Sequence, residues 1–225
     1  YLTNKSQWIW ATRVPQFIPK IGSAKASNLS NKRVLMIGTD MAAGKMTVGL
    51  ELYSYLKEKQ INTGFVATGQ VGITVTGKGM PLDAYKLDHA CGAVESAVMD
   101  QKDKDIVIVE GQGSILHPGS TATLPLMRGT CPTHMILCHI ARNDSLRSLE
   151  NIKIPDLKKF IKLNEELATV IGTYPDTKVI GIALNTILMT DEAAKEYMKK
   201  TEEETGLPVT DVVRFGGDKI FSQLI

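Results

Sequence analysis

Short apolar, β-branched runs recur along the chain, separated by amphipathic stretches. They stand at residues 33–37 (RVLMI), 64–68 (GFVAT), 105–110 (DIVIVE), 134–138 (HMILC), 179–184 (VIGIAL) and, more weakly, 209–213 (VTDVV). Most are apolar throughout rather than alternating, the pattern of strands covered on both faces. Between them apolar residues return at helical spacing. Residues 45–59 place Val48, Leu52, Tyr55 and Leu56 on one stripe, and residues 82–100 do the same with Leu82, Tyr85, Leu87, Cys91, Val94 and Val98. Residues 156–171 carry Leu157, Phe160, Ile161, Leu163, Leu167 and Val170 at the same period. The last helix, 191–205, has Thr190 as its expected N-cap and Gly206 with Pro208 as stop signals. Strands alternating with helices in this way predict a three-layer α/β domain built on a parallel sheet.

Composition narrows the class. A chain of 225 residues, 43% apolar and 22% charged, suits one soluble α/β domain, expected over residues 31–225. A formal net charge of +2 points to neither nucleic acid nor a membrane surface. No apolar run reaches the roughly 20 residues that cross a bilayer, and no leader-like segment is visible. Cys91, Cys131 and Cys138 lack paired spacing, so free thiols in a reducing cytoplasm are expected. Residues 1–30 show no sustained periodicity and read as a linker or the remnant of an upstream domain. Trp8 and Trp10 within them could cover this domain or meet a partner subunit.

The chemistry concentrates where the first strand meets the first helix. In "GTDMAAGKMT" small residues let backbone N–H groups approach phosphate oxygens, the helix N-terminus adds positive potential, and Lys45 supplies a cation. The common pattern G-x-x-x-x-G-K-[ST] would put Gly at 39 and a metal-binding hydroxyl at 46. Here Thr39 and Met46 stand at those positions and the first glycine is Gly38.

The loop resembles that of dethiobiotin synthetase, G-T-D-T-x-V-G-K-T, in Gly38, Thr39, Asp40, Gly44 and Lys45. "VATG" (66–69) looks like that family's second-strand turn. "VEGQGS" (109–114) looks like its V-E-G-A-G segment, which implies magnesium binding by Glu110, and "GIALN" implies a base contact by Asn185. Met46 departs from the pattern, Thr47 carries the hydroxyl one residue late, and Gly64 replaces a substrate-side lysine. A fuller resemblance runs through "GTDMAAGKMT", "FVATGQVGI", "VEGQGSILHPG", "ILCH", "GIALNT" and "TGLPVTDVVRFGGD". These six segments, in order, are similar to a bacterial and archaeal family long catalogued as of unknown function, some of whose members are D-glutamate N-acetyltransferases. That resemblance implies a Rossmann-like domain upstream in full-length members. It also implies a P-loop that holds the nucleotide end of acetyl-CoA.

The second resemblance gives Met46 a reason. Holding a diphosphate without breaking it needs no metal clamp, whereas phosphoryl transfer does. The expected nucleotide site is Gly38, Thr39, Asp40, Ala43, Gly44, Lys45, Met46 and Thr47 of the loop, with Thr68, Gly69 and Gln70 from the second strand, Gly111, Gln112 and Gly113 from the third, and Asn185. Amine acetylation needs a base, and His117 in "ILHPG" is the first candidate, followed by Glu110, with Lys45 as the third expected catalytic residue. Arg142 and Arg214 follow strand ends and could clamp carboxylates, while Asp83 begins a helix near the crevice. A zinc reading of Cys131, His134, Cys138 and His139 is disfavoured, because alternate strand residues point to opposite faces. Two rivals stay open: a ligase or kinase-like enzyme using ATP with magnesium on Glu110 and Thr47, and a silent nucleotide-binding module. A homo-oligomer and a small acidic amino acid as substrate are expected; ATP and CoA are not distinguished by strand periodicity.

Overall fold

The computed structural model describes residues 9–147 and 149–225; Trp8 lies outside them. Six parallel strands form one sheet: β1 (Lys32–Gly38), β2 (Thr63–Val66), β3 (Ile106–Val109), β4 (His134–Ile140), β7 (Lys178–Asn185) and β8 (Val209–Thr210), in the order β2-β3-β1-β4-β7-β8. The helices are α1 (Lys45–Glu58), α2 (Gln70–Thr76), α3 (Leu87–Met99), α4 (Thr123–Thr130), α5 (Leu157–Thr169), α6 (Asp191–Thr205) and α7 (Asp218–Phe221). An antiparallel hairpin, β5 (Ser145–Leu146) with β6 (Leu149–Lys153), follows β4.

Alternation along the buried strands makes two cores. Val34, Met36, Ile106, Ile108, Ile136 and Cys138 face one side, packed with Val48, Leu52 and Leu56 of α1. Leu35, Ile37, Val107, Val109, Met135 and Leu137 face the other, under α3, α4 and α5. Strand side chains alternate between faces, so a run apolar at every position serves both layers at once. Cys138 is therefore core, as the strand pattern predicts, and among the described residues no group of three metal-ligating side chains converges. No helix of the described residues is long and apolar enough to cross a membrane.

The Thr190 cap accepts from Ala193 N–H and left-handed Gly206 closes α6, as the stop signals predict. Other boundaries shift for tertiary reasons. The helix expected over 82–100 is interrupted: Leu82–Ala84 form a 3₁₀ turn and Tyr85 is extended before α3. Tyr85 packs its ring on Phe17 at 5.5 Å and accepts from Gln16 N–H, which holds that break open. The strand expected over 209–213 stops at Thr210, because the Asp211 carboxylate folds the following loop onto itself by accepting from Val213 and Arg214 N–H. Short α2, α4 and α7 and the hairpin have no counterpart in the periodic pattern.

Residues 17–29 lie along α3. Ala26 is fully buried, and Phe17, Ala24 and Leu29 pack on the same core. A Cβ at Gly92 would sit 1.6 Å from Lys20 O, so glycine is what admits the segment. Glu95, 6% exposed, accepts from Ser23 N–H at 3.2 Å and Lys25 N–H at 2.7 Å. Trp10 packs at the edge of the α1-side core. Substituting Glu95→Ala leaves those donors unmatched, and we expect a loss of about 1–3 kcal/mol, read as a lower urea midpoint with earlier proteolysis at residues 17–29.

Candidate functional site

Parallel sheets bind ligands beyond the carboxyl ends of their strands, where connections diverge. Here the chain leaves β1 toward β3 and β2 on one side, and β4, β7 and β8 lie on the other. The divergence falls at Gly38, and the loop 39–44 crosses it. Ala42 (φ 55°) and Gly44 (φ 104°) are left-handed, and no side chain caps the N-terminus of α1. Alternating hand of this kind turns backbone N–H groups into a concave anion cradle.

The loop's charges are buried and tied inward. Asp40 is 2% exposed; Oδ1 accepts from Met41 N–H and Oδ2 from Arg147 N–H of the hairpin, each at 2.7 Å. Lys45 is 6% exposed and donates from Nζ to Asp40 O at 2.8 Å. Burial pulls its pKa below the ordinary lysine value, opposed by Cys138, Asp40 and Glu110. Ser114 Oγ donates to Thr39 O at 2.9 Å, and Thr39 Oγ1 lies 2.9 Å from His139 Nδ1.

Glu110 directly follows β3 in the same crevice, 2% exposed. Its Oε2 accepts from Thr68 N–H (2.8 Å) and Gly69 N–H (3.0 Å), and Oε1 from the Gln112 amide at 3.2 Å. Burial pushes its carboxyl above the ordinary glutamate value, opposed by those donors and by Lys45. Glycines make room: a Cβ at Gly72 would lie 2.3 Å from Glu110 Oε2, and one at Gly111 would lie 1.7 Å from Met36 O.

Three cavities adjoin at the loop. One of about 350 Å³ is lined by Ala42, Gly44 to Thr47, and Glu110 to Gly113. A largely apolar one of about 210 Å³ shares Gly44 and Thr47 with it and adds Ala43, Val48, Asn185, Val212 and Arg214. The largest, about 500 Å³, shares Met41, Gln112 and Gly113, and adds Thr68, Gly69, Gln70, Asp83 and Tyr85. Asp83 accepts there from the Gln70 amide at 3.0 Å.

The sequence-derived residues thus gather around the loop, with Gly38, Thr39 and Asp40 beneath it lining none of the three cavities and His117 and Arg142 standing apart. His117 sits in the 114–120 turn, where Nδ1 accepts from Gly119 N–H at 3.1 Å, and it lines none of the three cavities. Arg142 is exposed and likewise lines none of them. Arg214 lines the apolar cavity, but its guanidinium donates to Thr186 O, Met189 O and Asp191. Sequence reasoning missed Asp211, whose Oδ2 accepts from Thr186 N–H and hydroxyl and so fixes that cavity's wall. It also missed the Arg147 backbone tether. No local pattern marks either one.

A parallel three-layer domain with a glycine–lysine loop at its first strand–helix turn is a P-loop domain. The chain belongs to the DUF1611 family: residues 20–221 match its P-loop domain, described as a domain of unknown function. It is 34% identical over 203 residues to a D-glutamate N-acetyltransferase from Pseudoalteromonas sp, covering 90% of this chain and 60% of that protein. A second protein of that name, from Tritonibacter scottomollicae, is 36% identical over 194 residues, 86% of this chain and 58% of the relative. The chain therefore spans only about 60% of the length of these relatives. The crystal structure of a DUF1611 family protein from Anabaena variabilis superposes with a TM-score of 0.95 at 45% identity, over 98% of this chain and 65% of that one. Cobyrinic acid a,c-diamide synthase from Mycobacterium smegmatis, with bound ATP analog and magnesium, shares the fold alone: TM-score 0.55 and 12% identity, over 85% and 92% of the two chains.

His139 offers a pH test of the site's packing. Burial lowers its pKa to about 4, with Asp144 opposing. The unfolded ring takes its proton near 6.5 and the folded ring only near 4, so neutral His139 stabilises the fold above pH ~6.5. That contribution, on the order of 3 kcal/mol, is lost as pH falls toward 4. We expect unfolding free energy to drop more between pH 7 and pH 4 in the wild type than in His139→Gln; equal drops would contradict the buried neutral ring.

Proposed function

We propose that this chain holds the donor in an N-acetyltransferase that moves an acetyl group from acetyl-CoA to the amine of an acidic amino acid, D-glutamate. The two curated relatives bearing that name support the reaction. The observation that carries the donor assignment is the row of adjoining cavities: about 210 Å³ and largely apolar, then about 350 Å³ at the phosphate loop, then about 500 Å³. A purine fits the first and a diphosphate the second. The pantetheine arm of CoA reaches on into the third, where a nucleoside triphosphate would leave most of the space unused.

In this reading Lys45 and the backbone of 42–47 hold the diphosphate. Asp83, braced by Gln70, receives the acceptor's ammonium in the largest cavity. Glu110 takes the proton: Oε2 is engaged by two N–H groups, while Oε1 has a single partner, and burial raises the carboxyl's affinity for a proton above that of an ordinary glutamate. The freed amine attacks the thioester carbon, the C–N bond forms as the C–S bond breaks, the departing thiolate takes the nitrogen's second proton and leaves as the thiol, and Glu110 returns the first proton to solvent. Neither Lys nor Arg lines the acceptor cavity among the described residues, so the substrate's carboxylates meet backbone N–H groups and the Ser120 and Thr121 hydroxyls.

Magnesium fits the site poorly. Residue 46 offers a thioether in place of a hydroxyl, and Glu110 is engaged by N–H donors on both oxygens. No step is assigned to it.

The test is a paired assay with purified protein, acetyl-CoA and D-glutamate. We expect free CoA to be released with D-glutamate; release of ADP from ATP would favour the ligase reading, and binding without either product a silent module. Lys45→Ala is expected to weaken CoA binding about tenfold or more, from loss of a charge-assisted contact. Glu110→Gln should lower kcat by roughly 10²–10⁴ with CoA affinity kept, and Met46→Thr should leave CoA release independent of magnesium.

A further inference from the structure

The carboxyl end of β4 also opens away from the crevice. A cavity of about 230 Å³ lies between β4, the flanks of the hairpin, the start of α5 and the last turns of α6. It shares no lining residue with the three cavities above. Its floor is His139, 3% exposed, whose Nδ1 is engaged with Thr39 Oγ1. No described residue bonds Nε2, which is left to the cavity that the ring lines. Beside it Asn143 Nδ2 is buried with no partner among the described residues. A buried amide donor left unmatched costs about 1–3 kcal/mol, which an acceptor entering the cavity would relieve.

The mouth has the opposite character. Asp144, Asp156 and Glu204 stand there with Lys158 as the one cation among the lining residues; Glu204 Oε1 also meets Lys200 Nζ at 3.7 Å and Asp156 Oδ1 caps α5, which leaves each carboxylate an oxygen for a ligand. A donor-lined floor under a carboxylate-rich mouth matches a molecule that carries an anion at one end and an ammonium at the other. The volume is several times the ~30 Å³ share of a water molecule and suits a small organic ligand.

We propose that this cavity binds a free α-amino acid, its carboxylate on Asn143 Nδ2 and His139 Nε2 and its ammonium among Asp144, Asp156 and Glu204, and that its occupancy is coupled to the phosphate loop. The coupling is chemical. A carboxylate on Nε2 requires the proton there; the neutral ring then presents Nδ1 as an acceptor, and Thr39 must donate its hydroxyl proton to it. The ligand thereby sets the direction of a hydrogen bond at the first residue of the loop. The hairpin above the cavity is joined to the next residue through Arg147 N–H and Asp40. The site stands independently of the acetyl-transfer reading.

The experiment is long-range ¹⁵N–¹H NMR of the histidine rings, with His139 assigned from His139→Gln, during titration with L-glutamate, D-glutamate and glycine. We expect a saturable shift of His139 to the Nε2-protonated form. Asn143→Leu and Glu204→Gln should each weaken it about tenfold, with folding verified by circular dichroism, and Asp83→Asn in the acceptor cavity should leave it unchanged. A His139 signal unmoved by all three amino acids, or a shift undiminished in both Asn143→Leu and Glu204→Gln, overturns the proposal. CoA release measured separately reads acetyl transfer, so failure of one idea is distinguishable from failure of the other.

Discussion

The structure depends on the placement of β1 between β3 and β4 in parallel register. Leu35 pairs with Val109 and Gly38 with Cys138, so β3 stops short of the end of β1 while β4 runs past it to Ile140, and the ends step across the sheet around the loop. Their next residues are Thr39, Glu110 and, inside the end of β4, His139. A loop, a carboxylate and an imidazole distant in sequence meet because strand spacing is fixed at about 4.8 Å. A slip of one residue would turn each of them into the core.

Burial then decides what these groups can do. Asp40, Lys45 and Glu110 are nearly inaccessible, and each is satisfied by backbone partners. Charges held this way are costly to leave unpaired, which keeps the loop in one shape. Lys45 Nζ rests on Asp40 O; under the proposed function an incoming diphosphate replaces that contact with a stronger, charge-assisted one. Glycines at 72 and 111 matter for the same reason: they bring backbone and carboxylate closer than any side chain would permit.

The cavities adjoin at the loop, and under the proposed function the P-loop serves a donor that is held without being cleaved. Met46 is consistent with that use, since a thioether removes a metal ligand and leaves the backbone cradle intact. The fold is shared with magnesium- and nucleotide-bearing relatives of very low identity. The chemistry therefore follows from the side chains at the rim and not from the layers beneath.

The sequence by itself determined the layered fold, five of the six sheet strands to within a few residues, both ends of α6 and the phosphate loop. Those features are written locally, in apolar runs, caps and the spacing of glycine and lysine. It also named Glu110, Gln112 and Thr68, because each follows an apolar strand and so emerges at the sheet's carboxyl edge, and Asn185 by resemblance. Only the tertiary structure decided that His117 and Arg142 stand outside the crevice, that Arg214 is occupied by Asp191, and that Asp211, Arg147 and His139 brace the walls. Those outcomes depend on which loops meet across the sheet, and no periodicity along one segment encodes contacts between residues 40 and 147 or 39 and 139.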